Sequence, residues 1–336
     1  MIEFAVNFSP GADLDVNMGQ VMEVYATEER TVELSMPSGN QVILPTSSKG
    51  MRKVTIQKPD TLLAENIKKD VVIGGVTGAL EAPPTGPYIA YTSLDSSGRV
   101  FTAKFRGTIV PEYAFAYLAE LTSVDMPDNV IAISDNGFYR CPKLSLTSLP
   151  PGITSLGDFA FSDCSKLALT SLPSGITSIG DQAFRDCFSL ALTGLPSRIT
   201  SIGDYTFRNC SKMVLTSLPS GITSLPTAAF QYCPKLALTT FPPGMTSIGA
   251  YAFKQGTGLA SITLPPALTT IGDYAFANCT GLETVKFTST VSSIPNGVFS
   301  GCTKLSTIYV PWSQGQVANA PWGASNATII YDYTGE

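Results

Sequence analysis

Two rules govern the apolar and polar positions of this chain, and they change over near residue 85. Before it, the alternation Ile2, Phe4, Val6, Phe8 and the strand-like runs near 21–25, 31–36, 41–44 and 52–57 predict a small β-rich module. The turn residues "PSGN" at 37–40 separate two of the runs. Beyond residue 112 a phenylalanine returns every 23 residues, at Phe115, Phe138, Phe161, Phe184, Phe207, Phe230, Phe253, Phe276 and Phe299. A fixed period of that length marks a stack of one supersecondary unit, each copy covering its neighbour's apolar face.

Other positions keep the same register. Three residues after the phenylalanine stands Cys141, Cys164, Cys187, Cys210, Cys233, Cys279 or Cys302, replaced in two copies by Leu118 and Gly256. One unit then reads as an apolar stretch such as "KLALTSL", a proline corner such as Leu172-Pro173, a second short stretch "ITSI", Gly-Asp, and "AFxxC". The two stretches predict short strands. Gly180 or Gly203 is expected to take a positive φ at a corner. Asp181 or Asp204 is expected to cap a helical turn that puts Phe and Cys on one face. The fold class predicted is a β-rich solenoid of about nine 23-residue coils with short strands and short helical turns, its spine on the order of 40 Å long. Its core ladder is Phe138, Phe161, Phe184, Phe207, Phe230, Phe253 and Phe276 with Cys164, Cys187 and Cys210.

One register detail separates the units. Five of them carry leucine eight residues after the phenylalanine, at Leu146, Leu169, Leu192, Leu215 and Leu238, with Thr147, Thr170, Thr216 and Thr239 following. The flanking units reverse the order, as in Ser123-Val124 and Ser261-Ile262. A one-residue slip turns a strand side chain to the other face. Either a bulge has moved, or these leucines and threonines form an outward stripe that is a candidate interaction surface.

The ends differ from the stack. Residues 1–84 are assigned to the β-rich attachment module and 85–112 to a linker, "APPTGP" at 82–87, and a capping hairpin built from "YIAYTSL" and "RVFTAKF". The solenoid occupies 113–310. A C-terminal cap follows at 311–336, where Trp312 and Trp322 are expected to seal the last coil.

Composition narrows the chemistry. Charged residues make up 14% of the chain, against about 25% in a typical soluble domain. The net charge is −5 and the arginines are scattered, so no basic stripe exists for nucleic acid. Histidine is absent, which removes Ser-His-Asp and Cys-His catalysis. The cysteines are odd in number and share one coil position, where buried thiols are a better reading than disulfides or a metal centre. No catalytic, cofactor-binding or metal-ligating residue is assigned, no apolar run is long enough for membrane insertion, and the opening "MIEFAVNFSPGADLD" does not read as a signal peptide.

Two resemblances add a setting. "LPSGITSIGDQAFRDCFSL" and its copies resemble the BspA-type leucine-rich repeats, which implies a curved or gently twisted solenoid used for adhesion and ligand contact, not catalysis. "DTLLAENIKKDVVIGGVTGAL" at 60–80 resembles a short module of bacteriophage tail and other virion structural proteins. Asn66, Ile67, Lys68, Lys69, Val71, Ile73, Gly75, Val76, Thr77 and Gly78 match it, while Asp70 and Ala79 depart from it. Together they imply a phage tail or fibre component located on the virion. Its amino-terminal module docks on other virion proteins, its solenoid holds a host-surface glycan or protein, and it assembles as a homo-oligomer. The alternatives are a virion decoration protein and a bacterial BspA-like surface adhesin.

Overall fold

The computed structural model describes residues 99–334, and ahead of them the strand segments β1 (Phe4–Asn7), β2 (Leu14–Asp15), β3 (Val32–Glu33), β4 (Val42–Pro45), β5 (Met51–Val54) and β6 (Tyr88–Leu94). The expected run near 21–25, the 60–80 segment and the 82–87 linker lie outside the described residues. β4 and β5 pair antiparallel, Val42 opposite Val54. β6 and β7 (Val100–Arg106) form an antiparallel hairpin, Ile89 opposite Phe105, and β1 adds to its outer edge.

From the hairpin the chain enters the solenoid. β8 (Ile109–Val110) begins one strand face and β9 (Ser123–Asp125) the other, where it lies parallel to β7 with Val124 opposite Ala103. On the first face β10 (Ala132–Ile133), β11 (Ser155–Leu156), β12 (Ser178–Ile179) and β13 (Ser201–Ile202) follow β8 in parallel, each paired with the residue 23 further on. The same face resumes as a separate sheet of β14 (Ser224–Leu225), β15 (Ser247–Ile248) and, after β16 (Ser261–Leu264) on the other face, β17 (Thr270–Ile271). β16 is joined there by β18 (Thr284–Phe287), β19 (Thr307–Tyr309) and β20 (Thr328–Ile330).

Proline explains the break between β13 and β14. The N–H groups of Ser134, Gly157, Gly180, Gly203, Gly249 and Gly272 each donate to a carbonyl of the preceding coil at 2.7–2.9 Å. Pro226 occupies the equivalent place and has no N–H to give. Thr223, three residues before it, makes no bond to Thr200, although Thr200 bonds Thr177 and Thr246 bonds Thr223. Pro295 stands at the same position where the second sheet ends after β17.

On the other face the register slips by one residue and later returns. Ser145 N–H donates to Thr122, 23 residues back, but Ala168, Ala191, Val214 and Ala237 donate to Leu146, Leu169, Leu192 and Leu215, 22 residues back. Thr263 then donates to Thr239. The slip turns the leucines inward: Leu169, Leu192, Leu215 and Leu238 are buried and Leu146 packs partly buried against the core. The outward leucine stripe is therefore corrected. Only its threonines, Thr147, Thr170, Thr216 and Thr239, lie exposed.

The third side of each coil carries "AFxxC", and no helix forms there or elsewhere among the described residues. Asn136 and Arg140 have φ of 57° and 56°, and Phe159 and Asp163 repeat this at 54° and 61°. Between these left-handed residues alternate N–H groups take different partners. Asn136, Phe138 and Arg140 donate to Asp158, Ala160 and Ser162 of the next coil, while Gly137 and Tyr139 donate three residues back. A helix would keep all of these bonds to itself; tight turns share them with the neighbour, which is what a stack requires.

The Gly-Asp pair changes role accordingly. Asp158 Oδ1 accepts the N–H of Asp181, and Asp181 Oδ1 that of Asp204, both at 2.7 Å, so these aspartates stitch coils and do not cap turns. Gly180 and Gly203 are not in the left-handed region. A Cβ on either would start within 2.7 Å of the preceding aspartate's backbone N, so glycine is there for close approach.

The interior is a set of ladders. From Phe138 to Phe253 successive phenylalanine rings stack 5.0–5.7 Å apart, within 9° of parallel. Beside them the cysteines are all free and buried. Each Sγ donates to the carbonyl of the preceding coil's phenylalanine, as Cys164 to Phe138 at 3.0 Å and Cys187 to Phe161 at 3.1 Å. Burial pushes the Cys141 and Cys233 thiols up to about 12. At the far end Trp312 and Trp322 are buried against Phe287, with ring centroids 5.2 and 6.0 Å away, and Trp322 Nε1 donates to Ala318.

Candidate interaction surface

Because the ladders fix the inward positions, what varies from coil to coil is what points out. Three positions beside each phenylalanine hold most of that variety: two before it, one after and two after, of which the middle one is buried in some coils, as at Ala116 and Ser162. They read Tyr113, Ala116, Tyr117 in the first coil, Asn136, Tyr139, Arg140 in the second and Phe159, Ser162, Asp163 in the third. Further along they include Arg185, Tyr205, Arg208, Tyr232, Tyr251, Lys254 and Tyr274.

The first three coils gather these residues into an aromatic cluster. Tyr117 meets Tyr139 edge to face, centroids 5.3 Å apart at 80°, and Tyr139 meets Phe159 at 6.0 Å and 74°. The Arg140 guanidinium lies 5.1 Å from the Tyr139 centroid and 5.9 Å from that of Tyr117, and its Nε is 3.5 Å from Asp163 Oδ2. Tyr117 is 41% exposed. The period hides this cluster in the sequence: Tyr117 and Tyr139 are 22 residues apart and occupy different repeat positions. They meet because Tyr117 N–H donates to the Tyr139 carbonyl at 2.7 Å.

Beside the cluster, at the corner with the first strand face, lies an open groove of about 380 Å³ lined by Glu112, Ser134, Asp135, Ser155, Leu156 and Gly157. Tyr113 stands between groove and cluster. Its phenol is raised from the usual tyrosine value by partial burial first and then by the Glu112 carboxylate, with Tyr117, Asp135 and Tyr139 adding to it.

Exposed rings also occur elsewhere, at Phe188 and Tyr274. At the C-terminal end Tyr251 and Tyr274 stack at 5.6 Å and 4°, and a Cβ on Gly297 would lie 2.5 Å from the Tyr274 ring, so that ring backs onto the next coil. On the first strand face the hydroxyls of Thr154, Thr246 and Thr269 donate to Ile131, Thr223 and Thr246 carbonyls of the preceding coil at 3.0–3.2 Å. Arg185 bonds Asp186 and Gln182. Among the described residues no group of acidic or thiol side chains is placed to hold a metal ion, and no helix is long and apolar enough to cross a membrane.

This spacing and these ladders match a known repeat. Residues 108–237 and 224–320, well over half of the chain, match the family described as BspA type leucine rich repeat region, in six copies. The chain belongs to that family. Solved leucine-rich repeat structures similar to it include a protein from Bacteroides ovatus, 22% identical over 67% of this chain with a TM-score of 0.48. A leucine rich cell surface protein from Faecalibacterium prausnitzii is 22% identical over 72% of this chain and 85% of its own, with a TM-score of 0.44. A T. pallidum leucine-rich repeat protein is 22% identical over 54% of this chain and 91% of its own, with a TM-score of 0.42. The match spans 64% of the Bacteroides chain, under two thirds of its length. No curated protein matches the chain. The family is a repeat family, and no enzymatic family is indicated.

Proposed function

We propose that this chain is a non-enzymatic binding protein that holds a bacterial surface with the outer side of its solenoid, as a BspA-like adhesin. The observation that carries this reading is the aromatic cluster of exposed Tyr117 with half-buried Tyr139 and Phe159, on a spine whose inward positions are fixed by stacking. A laddered core holds the outer side chains in place before a partner arrives, which reduces the ordering cost of binding. Several copies on one carrier would multiply a modest affinity through effective concentration. Family membership supports a repeat scaffold; fold alone does not choose the partner.

The test is adsorption. Labelled full-length chain should bind selectively within a panel of bacterial cells, and substitution of Tyr139 by alanine should reduce that binding. Equal binding to every cell and to bare plastic, or none to any cell, defeats the reading.

A second reading concerns the carrier. The segment 60–80 favours a phage particle, with residues 1–84 docking on other virion proteins in a homo-oligomer and the solenoid meeting the host. Antibody to the chain should then label particles pelleted from a lysate of the producing cell. Label confined to the cell envelope selects the cell-borne adhesin, and label on particles that bind no host selects a decoration protein.

A further inference from the structure

We propose that the groove at Glu112 and Asp135, together with the ring cluster of Tyr117, Tyr139 and Phe159, is a binding site for a neutral glycan chain. The inference deepens the adhesion reading and rests on it for its biological sense, though not for its chemistry.

Sugar recognition requires two kinds of group side by side: acceptors and donors for hydroxyls, and aromatic faces for the apolar C–H side of a pyranose ring. The groove supplies the first. Glu112 and Asp135 bring carboxylates, each accepting several hydrogen bonds, and Ser134 and Ser155 bring hydroxyls that donate or accept. Glu112 also breaks the local rule. It stands at the repeat position where Asp135, Asp158, Asp181 and Asp204 each accept an N–H of the following coil, and it accepts none. With a longer side chain in place of aspartate, Glu112 lines the groove and takes no part in the stitch.

The cluster supplies the second. Along the phenylalanine ladder, and in the Tyr251–Tyr274 pair, rings lie parallel and cover one another's faces. Tyr117, Tyr139 and Phe159 meet edge to face at 74–80°, which covers one face at each contact, and Arg140 lies over Tyr139 and Tyr117; the ring surface left open is chiefly that of Tyr117, which is 41% exposed. Tyr113 links the two halves: it follows Glu112 in the chain, and its N–H donates to the Asp135 carbonyl at 3.2 Å. This is the corner among the described coils where a groove bearing two carboxylates adjoins unstacked rings.

Charge selects among glycans. Two groove carboxylates repel uronic and sialic acids, and the nearby cation Arg140 is already held by Asp163 and the tyrosine rings. A neutral hexose or N-acetylhexosamine chain fits. Thr154, Thr246 and Thr269 on the first strand face are a poorer match, since their hydroxyl protons are committed to backbone carbonyls.

The experiment titrates the purified full chain with a panel of neutral oligosaccharides and, beside it, sialylated and uronic-acid oligosaccharides. Parent, Tyr139→Ala, Tyr139→Phe, Glu112→Gln and Tyr274→Ala are compared, each checked by its melting transition. At least one neutral glycan should bind, with affinity falling tenfold or more in Tyr139→Ala and Glu112→Gln and holding within twofold in Tyr139→Phe and Tyr274→Ala. No neutral binder, a preference for acidic glycans, or equal affinity in all variants overturns the site. Cell adsorption run in parallel separates the two readings. Adsorption that survives periodate but falls in Tyr139→Ala removes the glycan site and keeps adhesion through the cluster, whereas glycan binding without adsorption to any cell keeps the site and removes adhesion.

Discussion

Asp158 Oδ1 lies 2.5 Å from where the Cβ of a residue replacing Gly180 would begin, and it accepts the N–H of Asp181, the next residue, at 2.7 Å. Carboxylate and glycine are two halves of one joint. The backbone of Asp158 is equally close, its N at 2.6 Å from the same point. Gly180→Ala should therefore destabilise the protein by about 1–3 kcal/mol, the usual cost of overpacking a tight site. Removing the carboxylate as well should not rescue it, because the backbone contact stays. Denaturant melts of Gly180→Ala, Asp158→Ala and the double variant test this; full recovery in the double variant would show that the carboxylate alone demands glycine.

The phenylalanine ladder carries the second prediction. Phe207 is fully buried between Phe184 and Phe230, stacked at 5.6 and 5.4 Å. Phe207→Ala leaves a cavity with rings on both sides, and the expected cost is roughly 3–5 kcal/mol. A variant that melts like the parent would mean the ladder is not what holds the coils together.

A third prediction needs no substitution. The amides of Thr200 and Thr246 are bonded across the coil interface, and that of Thr223, between them, is not. Hydrogen exchange should find Thr223 less protected than both, by tenfold or more, with the weak point centred on Pro226. The turn side does not open there, since Phe207 N–H still bonds Ala229 and Thr227 N–H still bonds Asp204 Oδ1. Uniform protection across 200–246 would make the proline break a matter of geometry without energetic weight.

What the sequence revealed and what it concealed divide along one line. The period exposes residues that sit on their own copies in the next coil, so Phe138 above Phe161 and Cys164 beside Cys187 are legible as ladders. It conceals bonds that run to the backbone, even between copies of one position, and relations that cross positions. Asp158 meets Asp181 through a backbone N–H and not a side chain, and "GD" resembles the start of a helical turn whichever way its bonds run. The left-handed positions carry mixed types, such as Asn136, Phe159 and Gln182 at one and Arg140, Tyr232 and Gln255 at the other, so the Asp and Asn that recur at Asp163, Asp186, Asn209 and Asn278 were only a partial sign of the tight turns. The buried side of Leu169 turned on a one-residue backbone slip that the side-chain pattern left open between two readings. The aromatic corner stayed hidden because Tyr117, Tyr139 and Phe159 occupy three different repeat positions.

The thiol ladder gives the last prediction, on alkaline stability. A cysteine thiol in the unfolded chain releases its proton near 9.0, whereas folded Cys141 and Cys233 keep theirs to about 12 and burial raises Cys210 in the same direction. Between those values the unfolded chain gives up protons that the folded chain retains, so rising pH favours unfolding. The stabilisation is complete below about 9 and is lost as pH climbs toward 12, at up to about 1.4 kcal/mol per pH unit for each such thiol. Tyrosine and lysine titrate in the same window, so the comparison must be between parent and Cys210→Ala, in which those groups are common. The variant should be less stable near neutrality through its lost packing and its lost bond to the Phe184 carbonyl. Its stability should then fall more shallowly than the parent's between pH 9 and 11, so that the two curves converge. Parallel curves would show that Cys210 ionises alike folded and unfolded, which contradicts a thiol buried inside the stack.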